Sequence, residues 1–491
     1  MFPGCRDKAT HTWLRRLTQT SVKSTRKNER QVHRDLPTRA ILKFRTKRSG
    51  RTMSALGDFP FLTLADPLTT GEGALDPLGL ATIGDRLADQ ALPGLRARMS
   101  RPRFVTAIAV AAAVCDGMEE RVAVDDVTPA HIVFEWLLVE AFVRIGQTST
   151  TKGTPGTMKA QRAKAAGIAL SAKTYLHVPG IFGFHGVYKP LARHLGIVDD
   201  DMRLGDNGYA LVKEWQQEQG LLGFLESSVT RGPGSSFRQL LRSAVEEGLT
   251  RGHSTRSPAW QGWGLLAKHL APGTIGPAES ALIRRMVLDQ KGGTRGEVFR
   301  LLEVAQVNDE PESNIVRDVL IPEASKELRN RLTAIAAYEA VGTLLEDALD
   351  WIRHLSSMAG ARAITVSDYG KQSDTHRIAT ELRGAFRSAE EALASSPLLL
   401  QQQLAALAKS FDRVRDTEQL FEAVLAHHGE IQKAKKPDGK REWFERGDRG
   451  ATFVRVPYRL IEPPKLRDWW SRPYRINTAR SFLNDLRPGA A

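Results

Sequence analysis

The stretch KTYLHVPGIFGFHGVYKPLARHLGIVDDDMRLGDNGYALVKEW, Lys173 to Trp215, decides the reading of the fold. Pro190 is tolerated in the first turn of a helix and Gly196 stands where a helix usually stops, so the spacing predicts a short helix over Tyr188 to Leu195. Val187, Leu191 and Leu195 recur every four residues and should face a core, while Lys189 and Arg193 share another face. Gly196 to Val198 reads as a short strand, Asp199 to Arg203 as a hairpin tip and Leu204 to Trp215 as a closing helix. Gly208, Leu211, Val212 and Trp215 mark that helix's buried side. Helix, hairpin and helix in this order is the pattern of a winged helix, with Tyr188–Leu195 in the reading position.

Charge around this unit points to a nucleic acid. From Ala141 to Val198 there is no Asp or Glu, yet there are eight Lys and Arg. A duplex is bound chiefly by neutralising its phosphates, and nearby carboxylates would oppose it. Lys189 and Arg193 are the candidates for contact from the reading helix, and Tyr188 or His185 for approach to base edges. Lys159, Arg162, Lys164 and Lys173 would supply further phosphate contacts. Asp199, Asp200 and Asp201 argue against a wing that touches the backbone. The alternative is a winged helix used only for protein contacts, since fold alone does not fix function.

The formal charge of +14 is misleading. Residues 1–52 carry 15 Lys and Arg against 3 Asp and Glu, a net of +12, so the remainder is +2. This basic tail has too few apolar residues for a core and is expected to be disordered. A nucleic-acid arm, a transit peptide and an extension upstream of the working protein compete for it; the abrupt change of composition at Met53 favours the last. No apolar run reaches the roughly 18 residues of a spanning helix. Cys5 and Cys115 are the only cysteines, which excludes a disulfide framework and a cysteine zinc site, and a reducing cytoplasm is the expected setting.

The chain reads as mainly α and multidomain: a helical domain over 53–147, the winged helix over 158–225, a helical domain over 226–430 and a short irregular or β section over 431–491. Phe104 to Val114 and Ile132 to Ile145 are apolar nearly all round and should lie at the centre of the first domain. Thr148 to Thr157 has the composition of a loop, and Gly292-Gly293 reads as a plain break. Ile335, Tyr338, Val341, Leu345, Leu349 and Ile352 describe one long striped helix. Leu404 to Leu425 describes a second, free to pair with the first or to meet another subunit. From His427 onward, 15 Lys and Arg against 8 Asp and Glu alternate with Trp443, Phe444, Phe453, Tyr458, Trp469, Trp470 and Tyr474. Such a section suits stacking on unpaired bases, or a compact end-piece in which Arg stacks on rings. Phe453 to Leu460 alternates enough to be a strand.

Catalytic signatures are sparse. Gly153 to Lys159, GTPGTMK, lacks the spacing and hydroxyl of a phosphate-binding loop, and neither HExxH nor GxSxG occurs. The R-x4–6-H signature of helical ribonucleases falls only in the tail, at Arg6–His11 and Arg26–His33. Glu346, Asp350 and His354 share a helix face at metal-ligand spacing, but a solvated face is the simpler reading. His427, His428 and Glu430 form a second cluster with too few carboxylates for phosphodiester cleavage. Asp368 with Lys371 is a fainter nuclease pattern. No metal or other cofactor is expected.

Asp76–Phe104, Tyr175–Asp199 and Arg472–Leu486 resemble segments of uncharacterised bacterial proteins from anti-phage defence islands. The resemblance implies a component that works beside separate defence subunits, and it brings no catalytic residues. The expectation is therefore a non-catalytic DNA-binding or scaffold subunit of a bacterial anti-phage system, able to oligomerise through its long helices. A winged-helix transcriptional regulator and a metal-dependent nuclease subunit are the alternatives.

Overall fold

Helix α2 (Arg103–Cys115) has every one of its residues buried, and the rest of the N-terminal half is arranged on it. A computed structural model describes residues 76–487 apart from short stretches at 147–150, 227–230, 255–256, 308, 360–362, 436–438, 448–450 and 468–469. All of them belong to the unit Phe59–Ala491. The tail over 1–52 and the start expected at Met53 lie outside the described residues.

The chain is mainly α, as its periodicities predict. Helix α1 (Ala81–Ala91) precedes α2, and α3 (Ala130–Ile145) packs beside it. Then come α4 (Thr157–Ala165), α5 (Phe184–His194), α6 (Asp206–Glu218), α7 (Pro233–Arg251) and α8 (Gly262–Leu270). Helices α5, α6 and α7 all touch α2, while α4, α7 and α8 touch α3. An apolar all-round helix can be stable in water only if covered on every side, which is what these neighbours do. Packing thus crosses the boundary expected between residues 147 and 158. Arg103 and Thr106, the polar residues of α2, both bond the buried carboxylate of Glu279. A buried cation is tolerated when so paired.

The second half is built on α11 (Lys326–Met358), the long striped helix. Before it lie α9 (Pro277–Leu288) and α10 (Gly293–Ala305). Its main partner is α12 (Ser373–Leu393), whose Ile378, Leu382, Phe386 and Ala389 are buried at spacings of three and four. The second long helix expected over Leu404–Leu425 is two helices instead, α13 (Leu398–Lys409) and α14 (Thr417–Ala434). Asp416 breaks the pattern by accepting the N–H of Gln419 at 2.8 Å and so starting α14 afresh.

Strands β1 (Phe444–Arg446) and β2 (Thr452–Val454) pair antiparallel, Glu445 opposite Phe453. The strand expected over Phe453–Leu460 gives way after Val454 to a single 3-10 turn at Val456–Tyr458, where Pro457 cannot donate to a ladder. Helix α15 (Ile476–Asp485) closes against α10. Buried apolar residues form one continuous cluster from Leu78 to Leu486.

Candidate nucleic-acid interface

Helix α5 begins one turn earlier than its sequence predicts, because a carboxylate from another helix caps it. Glu135 of α3 is fully buried and accepts the backbone N–H groups of Phe184 at 3.2 Å and His185 at 3.0 Å, with the Tyr175 hydroxyl donating at 2.8 Å. These are the donors a helix start leaves unsatisfied, and a negative group there also meets the helix dipole. Burial pushes the Glu135 carboxyl up to about 7 against the pull of those bonds. Pro190 consequently lies inside the helix, where it removes one backbone bond.

The buried side of the unit is as expected. Val187, Leu191 and Leu195 are in the core, as are Gly208, Leu211, Val212 and Trp215 of α6. The hairpin reduces to one bridge, Val198 to Leu204, with Asp199 N–H donating to the Arg203 carbonyl at 3.0 Å.

His185 and Tyr188 require correction. Both are buried, at 1% and 0% exposure. His185 Nδ1 lies 3.0 Å from Glu135, and burial with Lys189 nearby holds its imidazole at about 3, so it is neutral. The Tyr188 hydroxyl accepts the Arg101 N–H at 2.8 Å, and its ring packs on Phe104. They build the core under the helix and are not placed to meet base edges.

The surface cations fall into two sets. On α5, Arg193 pairs with Asp200 of the hairpin tip, and Lys189 donates to the Asp200 carbonyl at 3.3 Å. Asp199 is spent on the tip itself, accepting the N–H groups of Asp201 at 2.9 Å and Arg203 at 2.8 Å. The acidic tip thus turns back onto the cations of its own unit. Around α4 the picture differs. Lys159 and Arg162, one helical turn apart, are exposed, as is Lys173 in the following turn, and none has a carboxylate partner among the described residues. Lys164 is occupied: its Nζ donates to the Val143 carbonyl at 3.0 Å, at the C-terminal end of α3, where a cation complements the dipole.

Structure reassigns the other clusters. Glu346, Asp350 and His354 form neither a solvated face nor a ligand set. The C-terminal segment covers them: Arg472 bonds Glu346 at 2.6 Å, Arg467 pairs with Asp350, and His354 Nδ1 meets the Leu460 carbonyl at 3.2 Å. His427 Nε2 donates to the Leu78 carbonyl at 3.0 Å. His428 donates from Nδ1 to the Pro77 carbonyl and accepts the Trp443 N–H at Nε2, both at 3.0 Å. That pair clasps the chain before α1 to the chain after α14. Asp368 forms a capping box with Thr365 at the start of the short helix Val366–Gly370 and pairs with Lys371 at 3.2 Å. Among the described residues no three His, Cys, Asp or Glu gather as a metal site.

Several rings and cations of the aromatic C-terminal section are used within the chain. Trp443 stacks on Tyr458 at 4.5 Å, with Arg353 over the Trp443 ring. Arg446 pairs with Glu422, Arg475 with Asp89 and Arg480 with Asp309. Trp469 lies outside the described residues. No described helix is long and apolar enough to cross a membrane. Burial pushes the Cys115 thiol up to about 12, an inert setting.

No family model matches the chain, and neither the curated proteins nor the solved structures include a significant match. Two features escaped the sequence reading. Phe182 is 44% exposed with Arg98 over its ring, beside exposed Ile181. The break at Gly292-Gly293 opens α10 beside a cationic cleft, and only the run Lys291-Gly292-Gly293-Thr294-Arg295 hinted at it.

Proposed function

We propose that this protein is a non-catalytic nucleic-acid-binding subunit that holds duplex DNA by its phosphates, working in the cytoplasm as part of a bacterial anti-phage system. The observation that carries the reading is the exposed set Lys159, Arg162 and Lys173, without a carboxylate partner among the described residues and inside a run of chain without carboxylates. Helix α5, the Val198–Leu204 bridge and α6 follow the order of a winged helix, with α5 as the reading element. The defence setting rests on the resemblance of the three segments named above. In this reading the α4 cations make the standing phosphate contacts. Lys189 and Arg193 join them when the Asp200 tip gives way.

Salt-titrated duplex binding by the full chain tests it. Each phosphate neutralised contributes about −0.9 to the slope of log K against log salt, so the Lys159→Ala/Arg162→Ala/Lys173→Ala variant should flatten the slope by roughly 2.7. The basic tail is common to both proteins and cancels in the difference. An unchanged slope and affinity would remove this surface from the interface and leave a protein scaffold as the account.

A further inference from the structure

Between the C-terminal end of α5, the start of α6 and the pair α9 and α10 lies a cleft of about 1010 Å³. Its walls carry Arg284, Arg285, Lys291, Arg295 and Arg300 against one carboxylate, Asp289. Two of these cations are committed elsewhere, Arg284 to Glu303 and Arg300 to the Leu288 carbonyl at 3.0 Å. Asp289 accepts the Lys291 backbone N–H at 3.0 Å and so serves its own turn. Arg285 and Lys291 are exposed and point to solvent at the rim.

Arg295 is the unusual member. It is only 3% exposed, and among the described residues no carboxylate is in contact with it; Asp289 favours its charge only from beyond bonding distance. Among the described residues its Nε has no hydrogen-bond partner, and its guanidinium makes one long bond, from Nη1 to the Pro93 carbonyl at 3.5 Å. The contrast with Arg103 is direct, since that equally buried guanidinium has Glu279. Taking a cation out of water without a directly bonded counter-charge costs several kcal/mol, so such groups are normally paired. The residue sits in the first turn of α10, whose N-terminal end adds partial positive charge on the same wall.

We propose that this cleft binds a small phosphorylated ligand, with a terminal phosphate on Arg295 and Arg285 and Lys291 closing over its outer charge. The volume lies at the upper end of what small-molecule sites enclose. A recessed guanidinium can be reached by the end of a small ligand, whereas the backbone of a stiff duplex would be held off by the rim. The apolar lining of Leu195, Leu282 and Met286 would accommodate the ligand's uncharged part. This site is independent of the α4 surface and stands or falls without it.

Calorimetric titration of the full chain with inorganic pyrophosphate tests the assignment, beside thermal melts with and without it. One saturable site is expected, weakened at least tenfold in Arg295→Met and in the surface double variant Arg285→Ala/Lys291→Ala. Without pyrophosphate, Arg295→Met should melt no lower than the parent, because it removes a buried charge that no carboxylate bonds directly; a purely structural arginine would give a lower melt. Absence of binding, or equal binding by both variants, overturns the proposal. Displacement of pyrophosphate by an unlabelled duplex at stoichiometric concentration would reassign the cleft to the nucleic-acid backbone and overturn the small ligand.

Discussion

The C-terminal segment is held to α11 by charge, and breaking one pair should show how much that seam is worth. Arg472 donates from Nε to Glu339 at 3.0 Å and from Nη1 to Glu346 at 2.6 Å, with the Arg472 side chain 10% exposed and Glu339 not exposed at all. Arg472→Met keeps much of the volume and removes the charge. Losing one partner of a buried pair costs about 3–5 kcal/mol, because the other charge remains in the interior. Here the lower end is expected: Glu339 keeps the Tyr474 hydroxyl at 2.7 Å and the Arg472 N–H at 3.2 Å. Unfolding entropy is near 2.1 cal/mol/K per residue, so over roughly 400 residues about 3 kcal/mol lowers Tm by some 3–4 °C. Glu339→Gln removes the stranded charge. In Arg472→Met/Glu339→Gln the loss should therefore fall short of the sum of the single losses by about 2 °C or more. Calorimetric melts of the four proteins measure this, with the exposed pair Arg446–Glu422 as a control expected to shift Tm by less than about 1 °C. Strict additivity of the Arg472 and Glu339 losses would refute the seam as a coupled unit.

Acid should loosen the clasp at His428. Burial lowers this imidazole to about 4 from 6.5, and its Nε2 must stay unprotonated to accept the Trp443 N–H. Its folded pKa is depressed, so the unfolded chain takes the proton first. The contribution is present above pH 6.5 and is lost as pH falls through 4, by about 3 kcal/mol at ~1.36 kcal/mol per unit. Melts from pH 7.5 to 4 should show the gap between the parent and His428→Gln closing with acid, and a constant gap would count against the assignment. At the hairpin tip, Asp200→Asn should free Arg193, tighten duplex binding several-fold at low salt and steepen the salt slope by about 0.9. If affinity does not move, the α5 cations take no part in binding.

The elements legible in the sequence were those whose signal is local. Helices α2, α3 and α11 announced themselves by uninterrupted apolar faces, and the burial of Leu191 or Trp215 followed from spacing alone. Helix α12 carries an equally regular stripe, and its partner α11 could not be covered without it. Starts of helices were less legible, and for one physical reason. Glu135 caps α5, Glu218 caps α9 by accepting the N–H groups of Ala278 and Glu279, and Glu312 caps α15 through Tyr474, Ile476 and Asn477. In each case the carboxylate comes from a distant element, so no Ser, Thr or Asp marks the boundary in the local sequence.

The same long-range pairing decides which charges remain for a ligand, and there a count along the chain misleads in both directions. The run from Ala141 to Val198 lacks carboxylates, yet Lys164 is spent on the end of α3, and Arg193 is met by Asp200 from just beyond the run. The C-terminal section carries a net +7, yet Arg467, Arg472 and Arg475 are committed to acids on α11 and α1. Conversely, the segment around Gly292 looks unremarkable in charge, since Asp289 and Glu297 flank its cations. Asp289 is hydrogen-bonded to its own loop and reaches Arg295 only through space, and Glu297 bonds Ser325 at the start of α11, so neither carboxylate bonds Arg295 directly. What a ligand meets is the charge left after folding has used the rest. By that measure, the α4 surface and the Arg295 cleft are two places among the described residues where cations remain for a ligand.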